Sequence, residues 1–397
     1  MYQNADIDIT KKFELSHFLI VLMSIACAAS AANLYYSQPL LEQISRFFNV
    51  SSSIIGISAM LIQIGYAIGL VFLVPLGDIK ERRRLIMIML FCSAIALFSI
   101  SLSFNIWWFI LGSLLVGLTS ITPMLIVPLA AHLAKPAERG KVIGSVMSGL
   151  LIGILLSRVF SGIIGSILGW QIVYRIAAVM MILLIFVFKL CLPESVPDSS
   201  MSYKKLLKSL VELFKNQPVL IEASLIGAMM FGTFSIFWTA LSFLLKSPVY
   251  NLGAQAAGMF GLVGIVGALA ASAVGRIADK RSPRFTLTIA ITFSFLSYIC
   301  FLIFGYKMWG LIVGVILLDL GIQSGQVSNQ TSINTLDAVA RSRNNAVYMT
   351  FYFLGGALGS WLGTFFWGLF GWIGVCSIGI TFQIVAATIH ICGIKRR

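Results

Sequence analysis

The sequence predicts an all-α membrane protein, with twelve transmembrane helices in two pseudo-symmetric six-helix bundles. Three observations lead there. Of 397 residues, 59% are apolar and only 11% charged, where a soluble domain carries roughly 25% charged. The apolar stretches are unbroken over more than about 18 residues, enough for a bilayer span. A transmembrane β-barrel is thereby excluded, because its strands alternate apolar and polar every second residue. Finally, two separate motif pairs recur along the chain at nearly the same offset.

Taken in order, the spans are 17–40, 51–77, 84–103, 107–131, 141–168 and 170–192, then 218–245, 254–277, 284–304, 308–330, 344–370 and 371–394. They form an N-terminal bundle over 17–192 and a C-terminal bundle over 218–394. An arm (1–16), a linker (193–217) and a tail (395–397) complete the chain. With the N-terminus inside, 23 of the 28 Lys and Arg residues fall on one side of the membrane. Arg46, Arg175, Lys246 and Lys307 lie on the other, and Arg158 lies within a span. Cytoplasmic loops carry such an excess, so the formal charge of +14 reports topology and does not call for nucleic acid. Ala28, Ala29, Ser30, Ala31 and Ala32 resemble a signal-peptidase site, but eleven further spans make an uncleaved first helix the simpler reading. The six cysteines are scattered singly, as small buried hydrophobes are.

The repeat is carried by loops. Asp78, followed by Lys80, Arg82, Arg83 and Arg84, matches Asp279, followed by Lys280, Arg281 and Arg284, 201 residues later. Arg139, before a helix rich in small residues, matches Arg341 at 202. Two pairs at one offset imply two halves in parallel orientation. Between them, Lys204, Lys205, Lys208 and Lys215 alternate with Leu206, Leu207, Leu210 and Phe214, which reads as a basic amphipathic segment on the cytoplasmic leaflet.

Twelve spans, a basic central loop, GRIADKRSPR at 275–284 and its weaker copy VPLGDIKERR at 74–83 resemble the major facilitator superfamily over essentially the whole chain. The first copy departs from the family pattern at Val74, Ile79 and Glu81. NLYYSQPLL (33–41), GILLSR (153–158) and LLDLGIQSGQVSNQ (317–330) are similar to its bacterial efflux branch, the drug:proton antiporter-like members. The resemblance implies a rocker-switch secondary transporter whose cavity is lined mainly by spans 1, 4, 7 and 10. It also implies that spans 2, 5, 8 and 11 meet at the seam between halves. Those four carry Gly65 and Gly69, Gly149 and Gly153, Gly258 and Gly261, and Gly355, Gly359 and Gly363, small residues that suit close helix contact in lipid.

Two kinds of charged site follow. Asp78 with Arg82 and Arg83, Asp279 with Lys280 and Arg284, and the loop arginines Arg139 and Arg341 are candidates for a cytoplasmic gate. By the resemblance, Asp78 would face the start of span 11 near Asn344. The plainer reading is solvated loop charge. Within the membrane, Asp319 and Arg158 lie at equal depth, roughly 15 Å below the far surface. A charge there costs on the order of 3 kcal/mol even on the lenient insertion scale. Equal depth permits a pair, either a proton-coupling device or a permanent structural bridge. Glu42 and Glu222 read as wet span ends, and His17, His132 and His390 as interfacial.

Polar and aromatic groups on the cavity spans are the substrate candidates: Asn33, Tyr35, Tyr36, Gln38, Thr119, Thr122, Trp238, Gln323, Gln326 and Asn329. Pro39, Pro123 and Pro128 can kink their helices and free carbonyls. No nucleotide-binding, metal-spaced or nucleophile motif occurs, so the chain reads as no enzyme, with no cofactor and no metal. The expectation is a monomer in the bacterial inner membrane, both termini cytoplasmic. Its partners are a small organic substrate, protons and the lipid bilayer, and it exports the substrate by proton antiport. A dedicated exporter of a siderophore or sugar-like metabolite, a symporter or facilitator, and a non-transporting sensor or scaffold stand as alternatives.

Overall fold

The structure, a computed structural model, describes residues 16–195, 202–278, 282–336 and 340–395, with backbone alone for 268–278, 394 and 395. No strand occurs among the described residues. Span 1 is α1 (His17–Ala32) and α2 (Leu41–Phe47), joined through a 3₁₀ turn, Gln38–Leu40. Span 2 is α3 (Ser52–Phe72), ending in a 3₁₀ stretch Val74–Asp78. Span 3 is α4 (Arg82–Ser101), span 4 is α5 (Ile106–Thr119) with α6 (Thr122–Leu133), span 5 is α7 (Arg139–Leu168) and span 6 is α8 (Trp170–Cys191). The linker holds α9 (Tyr203–Asn216). Spans 7 to 10 are α10 (Pro218–Lys246), α11 (Ala254–Ala278), α12 (Pro283–Phe304) and α13 (Met308–Asn334). Spans 11 and 12 are the two arms of α14 (Arg341–Lys395), bent at Gly371. By length and composition, nine helices among the described residues could cross a membrane, α14 among them, and α1 and the described part of α11 are shorter apolar helices. With both arms of α14 counted, these make twelve passes.

Local chemistry sets the ends. Ser16, Ser51, Asn105 and Ser282 each accept a hydrogen bond from the third residue of the helix they open, which satisfies a donor that lipid would leave orphaned. Glu81, a departure from the family pattern, caps span 3: its carboxylate accepts from the Arg83 and Arg84 amides at 2.8 and 2.6 Å and from the Ser195 amide at 3.0 Å. Gly169 (φ 87°) and Gly371 (φ 60°) turn the chain between adjacent spans with no loop, in a region that glycine reaches without strain.

The repeat is visible in the backbone. Gly169 and Gly371 are 202 residues apart, and so are Asn49 (φ 53°) and Asn251 (φ 49°), the two positive-φ residues other than glycine among the described residues. Large apolar side chains such as Phe91, Phe98 and Leu190 point outward, with Leu190 85% exposed, as suits lipid tails and not water.

Two expectations change. Span 1 is not continuous over 17–40: α1 stops at Ala32, and Leu34, Tyr35, Gln38 and Leu40 donate to carbonyls three residues back. Pro39 has no amide donor and disfavours helix before it. The linker does not lay its apolar face on lipid. Leu206 and Leu210 are buried, and Phe214 stacks on Phe351 of span 11 at 4.5 Å.

Candidate functional site

The two halves enclose a cavity of about 220 Å³. It runs from the face that bears the basic loops, at Val74, Gln330, Ser342 and Asn345, to mid-depth at Tyr35 and Phe234. Its walls come from spans 1, 2, 4, 5, 7, 10 and 11 and are largely aromatic and aliphatic: Tyr35, Tyr66, Phe231, Phe234, Tyr352 and Phe353, with Met124, Met147 and Met349. Polarity is supplied by Gln323, Gln326, Gln330 and Asn345, and among the described residues no carboxylate lines it. The Tyr352 hydroxyl donates to Gln326 Oε1 at 3.3 Å. Tyr66 of span 2 packs on Phe353 of span 11 with centroids 4.3 Å apart, which closes that flank across the halves.

One helical turn beyond the cavity's end sit the two buried charges. Arg158 is fully buried: its Nε donates to Gln38 Oε1 at 2.9 Å, and its guanidinium carbon lies 4.0, 5.0 and 5.4 Å from the ring centroids of Trp238, Tyr35 and Phe234. Such an aromatic box holds a desolvated cation at about 2 kcal/mol per good face. Nη1 and Nη2 find no hydrogen-bond acceptor. Asp319, 2% exposed, leaves Oδ2 unpartnered and lies against Gly264 and Gly267 of span 8. Arg158 and Asp319 form no ion pair within 4.0 Å. The pairing that equal depth allowed is absent in this arrangement, because Gln38 and three rings already surround the guanidinium.

The far side is shut. Span 8 packs on span 5 backbone to backbone: a Cβ on Gly162 would lie 2.8 Å from Gly258 Cα, and one on Gly261 would lie 2.9 Å from the Leu155 carbonyl oxygen. Gln38–Leu40 and α2 pack against α10, and Ser52 donates to the Thr364 carbonyl at 3.1 Å.

Of the substrate candidates, Tyr35, Gln323 and Gln326 line the cavity. Gln38 and Trp238 serve Arg158 instead. Asn33 points away, donating to Ser93 of span 3 at 3.3 Å. Tyr36 packs on Phe160, Thr119 donates back to Leu115 and Val116 carbonyls, and Thr122 is buried off the cavity. These four are displaced because the break in span 1 and the kink in span 4 rotate them into their own bundle. Asn329 opens onto a separate cleft with Glu222 and Arg284. Gln330 was missed, although Gln323, Gln326 and Gln330 sit at i, i+3 and i+7, the spacing of one helix face.

Most of the glycines also sit elsewhere than expected. Gly65 and Gly69 meet span 4, Gly149 and Gly153 meet span 1, and Gly355, Gly359 and Gly363 meet span 7, all inside their own half; of these nine glycines, Gly258 and Gly261 alone lie on the seam between halves. Spans 2, 5 and 11 each have a second face, and it is that face that these glycines occupy.

At the basic face, Asp78 is half-buried within electrostatic range of Arg82 and Arg343, one residue from the expected Asn344. Arg82 Nε donates to the Gly77 carbonyl at 3.1 Å, and Arg83 to the Lys189 carbonyl, with Glu194 at 3.8 Å. Arg139 is exposed, and Arg341 donates to the Asn334 carbonyl at 3.1 Å. Arg284, expected at the gate, turns into its own half in this arrangement: it pairs with Glu222 at 3.7 Å and donates to the Gly393 carbonyl at 3.3 Å. Glu222 is accordingly mostly buried, and His390, expected at the interface, is 3% exposed and bonded to Thr288 at 2.9 Å. Asp279 and Lys280 lie outside the described residues.

Two six-helix halves in parallel repeat, with a cavity at their junction, define a membrane carrier. The Major Facilitator Superfamily pattern matches residues 22–360, and the chain belongs to that family. It is 41% identical to the uncharacterized transporter YgaY of Escherichia coli O157:H7, over 97% of this chain and 98% of that one. It is 30% identical to the Streptomyces coelicolor protein named Probable transporter SCO4007, over 94% and 87%. In fold it is similar to the nucleoside transporter NupG (TM-score 0.75, 16% identity, 94% and 99% covered). It is likewise similar to a bacterial homolog of the human lysosomal transporter Spinster in an inward-facing, unoccupied conformation (TM-score 0.73, 15% identity, 94% and 95% covered).

Proposed function

We propose that the protein exports a small, amphipathic organic molecule across the cytoplasmic membrane in exchange for protons, by rocker-switch alternation. The observation that carries this is the cavity between the halves, open toward the basic loops and ending one turn short of two buried opposite charges that are not paired. The excess of basic residues at the open face supports an inward-facing arrangement, as does the likeness to a neighbour described as inward-facing. Separation at spans 5 and 8 would uncover Arg158 and Asp319 together from the far side, since Gly261 abuts the Arg158 side chain and Gly264 the Asp319 carboxylate. Asp319 is then the group that exchanges a proton, and Arg158 a positioning residue whose approach or withdrawal decides whether that carboxylate keeps it. Aromatic walls with amide tips and no carboxylate suit an uncharged or weakly polar solute.

The test is reconstitution into liposomes enclosing a pH-sensitive dye, with amphipathic solutes offered one at a time. The wild type should couple solute movement to proton movement, and Asp319→Asn should lose coupling while reaching the membrane in normal yield. Solute flux with no proton movement, or coupling undiminished in Asp319→Asn, defeats the antiport reading.

A further inference from the structure

We propose that α9 is a lipid-reading brace. Its lysine stripe takes the phosphates of anionic phospholipids at the basic face. Its apolar face, docked on both halves at once, favours the arrangement in which the central cavity is open on that side.

The docking is two-sided. The Tyr203 hydroxyl donates to the Phe72 carbonyl of span 2 at 2.8 Å, taking up a carbonyl near the point where α3 gives way to a 3₁₀ stretch. At the other end of α9, Phe214 stacks on Phe351 of span 11 with an interplanar angle of 14°. Upstream, the linker is held to the N-terminal half by paired bonds at Ser195: its amide donates to Glu81 and its carbonyl accepts from the Arg82 amide at 3.0 Å. Fourteen residues of helix therefore touch the basic ends of spans 2 and 11, which also form cavity walls. Bringing those ends together to close the cavity requires α9 to shift on one of them.

The outward face has a different chemistry. Lys204, Lys208, Val211 and Lys215 stand at i, i+4, i+7 and i+11, one stripe of the helix, and the three lysines are exposed. Val211 is 55% exposed, and Phe72, which shares its groove, 47%. The same flank continues along spans 2 and 11 in the exposed Ile68, Leu354 and Leu358, side chains that only acyl chains would solvate. The helix thus lies where tails give way to headgroups. There lysine stems lie along apolar surface and their ammonium groups reach phosphate. Glu212, 3.6 Å from Lys208, is the helix's one acid, so the stripe remains positive and complements anionic lipid.

The lipid contact stands independently of transport, whereas the brace rests on alternating access. The full-length protein, with Ala137→Cys and Thr335→Cys spin labels in a cysteine-free background, is placed in phosphatidylethanolamine nanodiscs with and without phosphatidylglycerol. Adding phosphatidylglycerol should raise the ratio of long to short label distances roughly fivefold or more, the lower end of ordinary coupling. Lys204→Gln/Lys208→Gln/Lys215→Gln should keep the distribution seen without phosphatidylglycerol and lose the response, and native mass spectrometry should show that it no longer retains phosphatidylglycerol. Phe214→Ala should retain the lipid but not the response. Equal retention in the triple variant overturns the lipid contact. A wild type that retains the lipid through these lysines yet keeps its distance ratio overturns the brace. If it shows a single distance in every lipid and at every pH, alternating access falls with it, and the lipid contact survives.

Discussion

Set 202 residues apart, the two halves share their scaffold and differ in their chemistry. The paired turns at Asn49 and Asn251, and at Gly169 and Gly371, are the same backbone solution used twice. The spans that line the cavity are not. Spans 1 and 4 are broken, around 33–40 and at 120–121, where spans 7 and 10 run as single helices. Pro39 and Pro123 correspond to Leu241 and Gly325. Asp319 stands where the other half has Gly117, and Arg158 where it has Ser360. Gln326 and Gln330 stand where it has Met124 and Pro128, which also line the cavity. The two halves share their turns, and each carries one buried ion that the other lacks at the equivalent position.

The largest effect should come from undoing that asymmetry. Asp319→Gly restores the residue that the other half carries; liposome assays should find coupled proton movement gone while solute-independent stability, read by thermal melting in detergent, holds or rises. Removing an unpartnered buried carboxyl relieves a desolvation cost. A clear fall in melting temperature would mean that Asp319 is structural.

The glycines sharpen the same contrast. Gly359 lies inside the C-terminal half against the Gly232 backbone, and Gly258 lies between halves against the Arg158 carbonyl and Gly162. Gly359→Leu should cost about 3 kcal/mol or more through overpacking against main chain, seen as loss of monodisperse protein in size-exclusion chromatography. Gly258→Ala should fold normally yet fail to shut the far side, so that Ser161→Cys in a cysteine-free background becomes reactive to impermeant maleimide added from that face. Equal yields for both variants would erase the distinction between packing glycines and seam glycines.

Restoring the helix that span 1 lacks is a gentler break. Pro39→Leu supplies the amide donor and the residue of span 7, and should slow transport roughly tenfold, about 1.4 kcal/mol, by turning Tyr35 and Gln38 away from the cavity end and from Arg158. Undiminished transport would show that the break does not position the site.

The architecture was legible because lipid leaves few options: twelve apolar segments, a basic excess on one side and a repeated loop motif constrain the fold by solvation alone. The midplane ions were legible for the same reason, since a charge in hydrocarbon is conspicuous in any sequence. The direction each side chain takes was not. Asn33 and Tyr36 looked like Tyr35 and Gln38 in the same run, and only the turn after Ala32 decides that Tyr35 faces the cavity, Gln38 meets Arg158 and the other two pack inward. Gly355 and Gly359 looked like a seam between halves because a helix with small residues does not announce which of its neighbours it approaches. Glu81, a mismatch to the family pattern, turned out to be the cap of span 3 and the anchor of the linker.

The smallest effect tests how Arg158 is held. Gln38 provides its one side-chain acceptor, at 2.9 Å, while three aromatic faces provide the rest. The equivalent of Gln38 in span 7 is Ala240. Gln38→Ala copies the other half and removes a hydrogen bond to a charged group, which should lower stability by roughly 1.5–3 kcal/mol. If the rings carry most of the cation, the loss will sit at the bottom of that range, and Trp238→Leu will cost more, since it removes the nearest face along with its dispersion contacts. Thermal melting of the two single variants and the double variant distinguishes the contributions. A Gln38→Ala loss larger than that of Trp238→Leu would make the amide, not the aromatic box, the device that keeps a lone guanidinium in the middle of the membrane.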